Sequence, residues 1–441
     1  MGVAEIILIG MFVVLILGIM TGHPLAFVLG GIGVLAGYIG WGDSAFSIVL
    51  TKIYDSMNSY NMVAIPMFVL MANFLTYSKV ADGLFNSIRY LLGPLKGGLG
   101  LAVIAVSTVF AATTGIVGAS VVTMGMLATP ILLKHGYKPE LAVGSVCAGG
   151  SLGILIPPSI MLVTMGAYSN VSVGKIFLAA IIPGLLLSLC YMIYLAIVCH
   201  IHPEWGPAMS QEELDEMPFG ERVKGSLVNL IPPVLLIVGV LGSIFTGTAT
   251  PTEASGIGAL VALIMAVFYK QFNFNMLYTS LIETMKTSAM VFIILFGANA
   301  FTGIFIGMNG DQMIVDFVAS VGMGKWSAFI MMCIIVFVLG MFLDWLGIVM
   351  LVFPIFLPIM DLFGFDRLWL VAVTAVLLQT CFLTPPFGFA LFYIKGIVPK
   401  GVTISMIYRG VIPFIIIICV VTALVTVFPQ IVLWLPSISG L

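Results

Sequence analysis

Long apolar stretches joined by short polar connectors run the length of the chain, at about 5–20, 24–41, 62–77, 97–133, 139–168, 175–200, 226–246, 252–270, 286–308, 326–362, 369–394 and 402–430. A helix crosses a bilayer with roughly 20 apolar residues, so the pattern predicts an all-α integral membrane protein. The long polar segment from His202 to Lys224 reads as a partly amphipathic connector and as the boundary between two halves. Glu5 and the absence of a basic leader mark the first two apolar stretches as retained spans rather than a signal peptide.

Composition sharpens this. Of the 441 residues, 61% are hydrophobic and 8% charged, against roughly 25% charged in a soluble domain, which excludes a soluble globular protein. A formal charge of −2 supplies no basic field, so nucleic acid is not expected as a partner and the lipid bilayer is. The 6 cysteines stand singly without metal spacing and read as packing thiols. There is no GxxxxGK[ST] phosphate loop and no HExxH, so energy must come from an ion gradient or from another chain.

The two halves resemble one another. A shift of 228 residues carries Pro130 onto Pro358, Gly136 onto Gly364 and Pro157-Pro158 onto Pro385-Pro386, while a shift of 226 carries Ala72-Asn73 onto Ala298-Asn299. Internal duplication follows, with a division into N-terminal scaffold helices 1–61, a first repeat 62–200, a connector with linking helices 201–285, a second repeat 286–430 and a tail 431–441. Each repeat has a polar or glycine-rich interruption inside a long stretch (97–133 and 326–362) and a double proline inside the next (139–168 and 369–394). Paired prolines break a helix, and polar groups freed within a membrane must face protein, water or ligand. Reading 97–133 and 326–362 as re-entrant hairpins, and 139–168 and 369–394 as broken crossings, gives inverted repeats with about ten crossings and both termini outside the cytoplasm. That arrangement gathers Lys79, Arg89, Lys96, Lys134, Lys138, Arg222, Lys224, Lys270, Lys286, Lys395 and Lys400 on one side, against Lys52, Lys175, Lys325 and Arg367, as positive-inside requires.

Asp344, at an expected hairpin tip, is the most informative single residue, because a carboxylate inside a membrane costs about 2.5–3.5 kcal/mol on insertion scales and marks an ion, substrate or proton path. Thr380 and Thr384 near it, and Thr113, Thr114, Ser120, Ser151 and Ser159 in the first repeat, are hard oxygen donors suited to a small cation such as Na⁺. Half-helices beginning beyond Pro158 and Pro386 would aim positive dipole ends at the centre, which suits a carboxylate. Substrate contacts are therefore expected at Ser151, Pro158, Ser159, Pro385 and Pro386. Thr250-Pro251-Thr252-Glu253 reads as a capped helix start.

Phe110-Ala111-Ala112 with Gly115, Gly136-Tyr137, Leu152-Gly153-Ile154 through Ser159, Thr250-Pro251-Thr252-Glu253-Ala254, Gly340 through Asp344, and Phe382 through Gly388 together resemble the large, DctM-type membrane subunit of tripartite ATP-independent periplasmic (TRAP) transporters over nearly the whole length. The resemblance implies an inverted-repeat, elevator-type secondary transporter of the bacterial inner membrane, driven by Na⁺. It also implies a small four-helix membrane subunit, a periplasmic substrate-binding protein and an organic acid as cargo. Sodium in that family sits where hairpin tip and broken helix meet. Carried over, this gives Thr114, Gly115, Ser120, Gly150 and Pro157 for one site and Gly340, Asp344, Thr380 and Thr384 for the other, with two or more ions expected. Ile116-Val117 replaces a serine pair that many relatives carry after the glycine, so other oxygens must complete the first site. A stand-alone sodium/dicarboxylate symporter of related architecture is the near alternative. A membrane-embedded enzyme using Asp344 is the distant one, and it would need a second acid, His or metal cluster at that depth, for which the sequence offers no candidate.

Overall fold

A computed structural model describes residues 2–439; the ends of the expected segments 1–61 and 431–441, residues 1, 440 and 441, lie outside the described residues. The described chain is helical, without strands. Eight of its helices are long and apolar enough to cross a membrane, the longest being Phe274–Gly307 and Val173–Ile201. Several shorter apolar helices, among them Leu25–Trp41, Gly98–Thr114 and Lys325–Leu339, supplement them.

Both repeats run through the same series of elements. An apolar leading helix (Ala64–Tyr77; Phe274–Gly307) runs to a polar-faced helix (Val80–Leu92; Gly310–Ser320) and then to a helical hairpin (Gly98–Thr114 with Val117–Lys134; Lys325–Leu339 with Trp345–Leu362). A broken helix follows (Pro139–Ser151 with Ile160–Ser169; Arg367–Leu377 with Phe389–Ile397), and a closing helix ends the series (Val173–Ile201; Ile404–Val427). The coincidences in sequence recur as coincidences in role. Pro130 and Pro358 lie inside the second hairpin helices. Gly136 and Gly364 make left-handed turns at φ 77° and 66°, open to glycine at no steric cost. Both double prolines contain a cis peptide bond.

Hydropathy alone misses three helices: Ser44–Met57, Val80–Leu92 and Gly310–Ser320 fall in stretches read as polar connectors. Each is amphipathic rather than uniformly apolar; Val80–Leu92 buries Val80, Ala81, Leu84, Phe85 and Ser87 and keeps Asp82 in its first turn and Arg89 in its last. The tail also contains a helix, Gln430–Ile438, with Val432 and Pro436 buried.

Close glycine contacts tie together two sets of helices, a scaffold and a second body that packs against it, with Gly347 of the second hairpin pressed on Leu25 between them. In the scaffold, a methyl group added at Gly33 would stand 2.7 Å from the Ala300 carbonyl carbon, and one at Gly297 would overlap the Ala26 oxygen, so Leu25–Trp41 and Phe274–Gly307 touch backbone to backbone. In the other body, methyl groups at Gly144 and Gly410 would overlap the oxygens of Gly410 and Glu140 respectively, clamping the first broken helix to the second closing helix. Gly125 meets Ile394 and Ile397, which joins the first hairpin to the second broken helix. The connector is strapped to this second body. Gly97 donates its N–H to Gly206 O at 2.8 Å and Met209 donates to Gly93 O at 2.9 Å. His135 Nε2 lies 2.8 Å from Glu213 Oε2, and Lys138 Nζ sits 3.7 Å above the Trp205 ring.

Candidate functional site

Gly115 ends the first hairpin helix in the left-handed region at φ 60°, and Ile116 then runs extended into the second. This turn presses on the first break: a methyl group on Gly115 would lie 3.2 Å from Pro158 O and 3.6 Å from Ser159 Cα. Thr114 Oγ1 and Ser120 Oγ are 2.8 Å apart, one on each side of the tip. Phe110 O lies 3.1 Å from Thr114 Oγ1 and Ile116 O lies 3.1 Å from Ser120 Oγ, so one hydroxyl donates across the pair while the other donates to its backbone carbonyl. Gly150 faces the backbone of Val121, and a methyl group on Gly153 would lie 3.1 Å from Ser120 Oγ. Thr114, Gly115, Ser120 and Gly150 thus converge, with Pro157 in the adjoining double-proline turn. Gly153, which the sequence does not single out as a site residue, closes the same junction.

The second junction repeats the plan. Asp344 is the N-cap of Trp345–Leu362, and its Oδ1 accepts the Gly347 N–H at 3.0 Å. A methyl group on Gly340 would touch Cys381 Cβ at 3.0 Å, so the tip rests on the break beside Thr380. Thr384 donates to Thr380 O at 2.6 Å, and Thr380 donates to Leu377 O at 2.7 Å. Gln379 is a second residue that sequence reasoning misses. It is fully buried; its amide N–H donates to Ala375 O at 3.2 Å, while its Oε1 has no donor. Such a bare carbonyl oxygen next to Thr380 is a candidate cation ligand. Its signal in the sequence is an amide side chain standing within an apolar stretch.

Among the described residues no three His, Cys, Asp or Glu converge as a metal cluster. The junctions instead offer hydroxyl and carbonyl oxygens plus a single carboxylate, a hard donor set that fits a monovalent or divalent s-block ion better than a transition metal.

Between the junctions lies a cavity of about 430 Å³. The first tip lines it from Gly115 to Gly118, the second through Asp344 and Trp345, and the breaks through Ile154, Ile160, Phe382 and Phe389. Leu25, Phe27 and the stretch from Thr287 to Ile294 close it from the scaffold. Two helices begin at this cavity without a side-chain cap, Val117–Lys134 and Phe389–Ile397, leaving first-turn N–H groups without a capping side chain. Ser151, Pro158, Ser159, Pro385 and Pro386 do not border it. The Ser151 hydroxyl turns back to Ala148 O, and Ser159 bonds Ile154 O while capping Leu162 N. Gly149-Gly150-Ser151-Leu152-Gly153 also has the GxSxG spacing of a hydrolase elbow, but Ser151 ends a buried helix, with no strand preceding it.

A second, polar cavity of about 490 Å³ lies further along Phe274–Gly307, between Lys52, Asp55 and Asn299 of the scaffold and Tyr168, Asn170 and Arg367 opposite. There Tyr168 Oη and Thr302 Oγ1, 3.0 Å apart, bridge the two bodies. Arg367 pairs with Asp361 and donates to Ser169 O at 3.3 Å, linking the ends of the two broken helices.

Duplicated helical hairpins and broken helices that meet at a central cavity define a membrane transporter. The chain has the fold of two solved transporters: the YdaH transporter of Alcanivorax borkumensis (TM-score 0.65, 13% identity, covering 92% of this chain and 97% of that one) and MtrF of Neisseria gonorrhoeae (TM-score 0.60, 15% identity, covering 89% and 85%). The family model "Tripartite ATP-independent periplasmic transporter, DctM component" matches residues 10–431, and the chain belongs to that family. It is similar to the C4-dicarboxylate TRAP transporter large permease protein DctM of Pseudomonas aeruginosa, at 32% identity over 90% of this chain and 91% of the relative. The sialic acid TRAP transporter large permease protein SiaM of Vibrio cholerae is 28% identical over 96% and 95%. The chain is accordingly a multi-pass transporter component of the inner membrane and not an enzyme.

Proposed function

We propose that this chain imports an organic acid together with Na⁺, as the large permease of a tripartite system completed by a small four-helix membrane subunit and a periplasmic substrate-binding protein. The observation that carries the reading is the meeting of two tip–break junctions at one cavity: each junction gathers oxygen donors, and the cavity holds two uncapped helix starts. The oxygens hold sodium, and the helix starts receive the carboxylate of the cargo. Relatives named for C4-dicarboxylates and sialic acid support an acid as cargo. The body containing the hairpins and broken helices moves as a unit against the scaffold, because its internal contacts are backbone-tight while its border with the scaffold is a cavity, side-chain packing and the Tyr168–Thr302 bond. Sodium bound beside Asp344 neutralises the carboxylate and lowers the cost of carrying it across the membrane.

The test is uptake into proteoliposomes containing this chain and its small subunit, with the binding protein added outside. The proposal expects acid uptake that needs both the binding protein and an inward sodium gradient. Uptake without the binding protein would favour the stand-alone symporter, and uptake indifferent to sodium would refute ion coupling.

A further inference from the structure

We infer that the scaffold itself holds a carboxylate of the cargo at the outer end of the transport path, through a polar ledge of Lys52, Ser56, Asn299 and Thr302 that meets the cargo only when the moving body stands outward. The inference rests on the proposal that the hairpins and broken helices carry an organic acid past the scaffold, and it names the scaffold residues that receive it. Phe274–Gly307 passes both cavities: Met290 and Ile294 border the central one, and Asn299 and Thr302 the polar one of about 490 Å³. The second hairpin follows the same course, with Trp345 at the central cavity and Leu357 at the polar one. Met290 and Thr302, like Trp345 and Leu357, are twelve residues apart, about 18 Å along a helix. A shift of that size brings the tips level with the ledge. Lys52 and Arg367 lie opposite the cytoplasm in the inverted arrangement, so this is the outward position.

The two levels differ in chemistry. Apart from Thr287, the scaffold at the inner level offers residues such as Leu25, Met290, Val291 and Ile294, whose side chains give a carboxylate no hydrogen bond. At the outer level the stem of Lys52 is laid against Phe274–Gly307, since a methyl group on Gly303 would lie 3.0 Å from its Cγ. Lys52 lines the polar cavity, and its ammonium has no ion-pair partner among the described residues, although Asp55 stands one turn further along the same helix. Asn299 donates one amide N–H to Ser56 Oγ at 2.5 Å, which leaves its second N–H for a ligand. Thr302 Oγ1 is engaged by Tyr168 Oη across the border of the two bodies, so movement of one past the other frees it. The repeat counterpart of Asn299, Asn73, is buried and bonded to Thr284 Oγ1 at 2.9 Å, which confines the ledge to one end of the path. An ammonium with neutral donors beside it holds a carboxylate that an apolar wall does not, so the acid binds more tightly outside and is released where the wall turns apolar.

Two measurements on the full-length chain with its small subunit, in lipid nanodiscs and sodium-containing buffer, test this. Trp345→Cys combined with Thr302→Cys should be joined by a bis-methanethiosulfonate reagent shorter than the roughly 18 Å that separates their levels, because outward travel brings the tip to the ledge. Calorimetric titration with succinate, pyruvate and N-acetylneuraminate then follows whichever acid binds most tightly. Lys52→Gln should weaken that acid about tenfold, the loss of a charge-assisted hydrogen bond, while Lys52→Arg should keep it within about threefold and Asp55→Asn should not weaken it. A cross-link with no effect of Lys52→Gln, or with the loss appearing in Asp55→Asn instead, would overturn the ledge and leave the moving-body reading intact. Absence of the cross-link in a folded double variant would overturn both. Binding of none of the three acids would overturn the organic-acid reading and the ledge with it. Should the double variant fail to fold, the Lys52 and Asp55 series decides.

Discussion

Gly115 and Thr114 show how much a single position controls. Gly115 combines a left-handed φ of 60° with a neighbour 3.2 Å from where its side chain would begin, so Gly115→Val must push the tip away from Pro158 O. Uptake in vesicles should fall by at least about tenfold, as expected when reacting partners are displaced by about 1 Å. Thr114→Val removes one half of a 2.8 Å hydroxyl pair and should cost about 1–2 kcal/mol in thermal or chemical unfolding, together with a weaker sodium response. Residue types with unusual chemistry for their surroundings are readable from sequence: an acid in an apolar stretch, double prolines, and glycines at repeated spacing. The direction of a side chain is not. Ser151 and Ser159 look like oxygen donors to a ligand, but the Ser151 hydroxyl bonds its own helix at Ala148 O and the Ser159 hydroxyl bonds Ile154 O in the turn before its helix, because a serine at a helix end has carbonyls within reach.

At the level of elements, helix starts are legible. Thr250-Pro251-Thr252-Glu253 forms a full capping box, with Glu253 Oε2 accepting the Thr250 N–H at 2.8 Å and Thr250 Oγ1 accepting the Glu253 N–H at 3.3 Å. Thr250→Ala should destabilise Pro251–Phe268 by about 1 kcal/mol, measurable as a lower Tm. Amphipathic helices are not legible by the same means, since averaging hydropathy over a window cancels an apolar face such as Val80, Leu84 and Phe85 against its polar side. The connector's attachment is equally hidden, being made by residues far apart in the chain. The hydrogen bond between the His135 imidazole and the Glu213 carboxylate holds that carboxyl below the ordinary carboxylate range. A carboxyl whose pKa falls on folding stabilises the folded contact fully above the unfolded value of about 4.3, and that contribution disappears as pH drops through the lower folded value. Protection of the amides across 203–217, taken relative to their intrinsic exchange rate at each pH, should therefore fall only below about pH 4.3, and Glu213→Gln should reproduce that loss at neutral pH.

For the whole molecule, the duplication is the feature that sequence conveys best, because glycine and proline record backbone requirements that survive divergence of the apolar residues between them. The central cavity is invisible there, since its wall is assembled from separated segments and its apolar members look like any other residues of a membrane helix. The division into two bodies likewise emerges only from which glycines meet which backbones. If one body moves past the other, locking the Tyr168–Thr302 contact must stop transport. Tyr168→Cys combined with Thr302→Cys, bridged by a short bis-methanethiosulfonate reagent because the reach of a tyrosine separates the two backbones by more than a direct disulfide spans, should abolish uptake, restored by reduction; unhindered uptake in the cross-linked protein would exclude relative motion there.

The sodium dependence of acid uptake by Asp344→Asn, measured against the unaltered protein in the same proteoliposomes, probes most directly the idea that cation and cargo share the meeting point of tips and breaks. Asparagine keeps the side chain's shape and its cap on the Gly347 N–H while removing the charge. A unit charge a few ångströms from a cation is worth a few kcal/mol at an effective dielectric of about 20, so the half-saturating sodium concentration should rise at least about tenfold. An unchanged sodium curve in the Asp344→Asn protein would contradict the account.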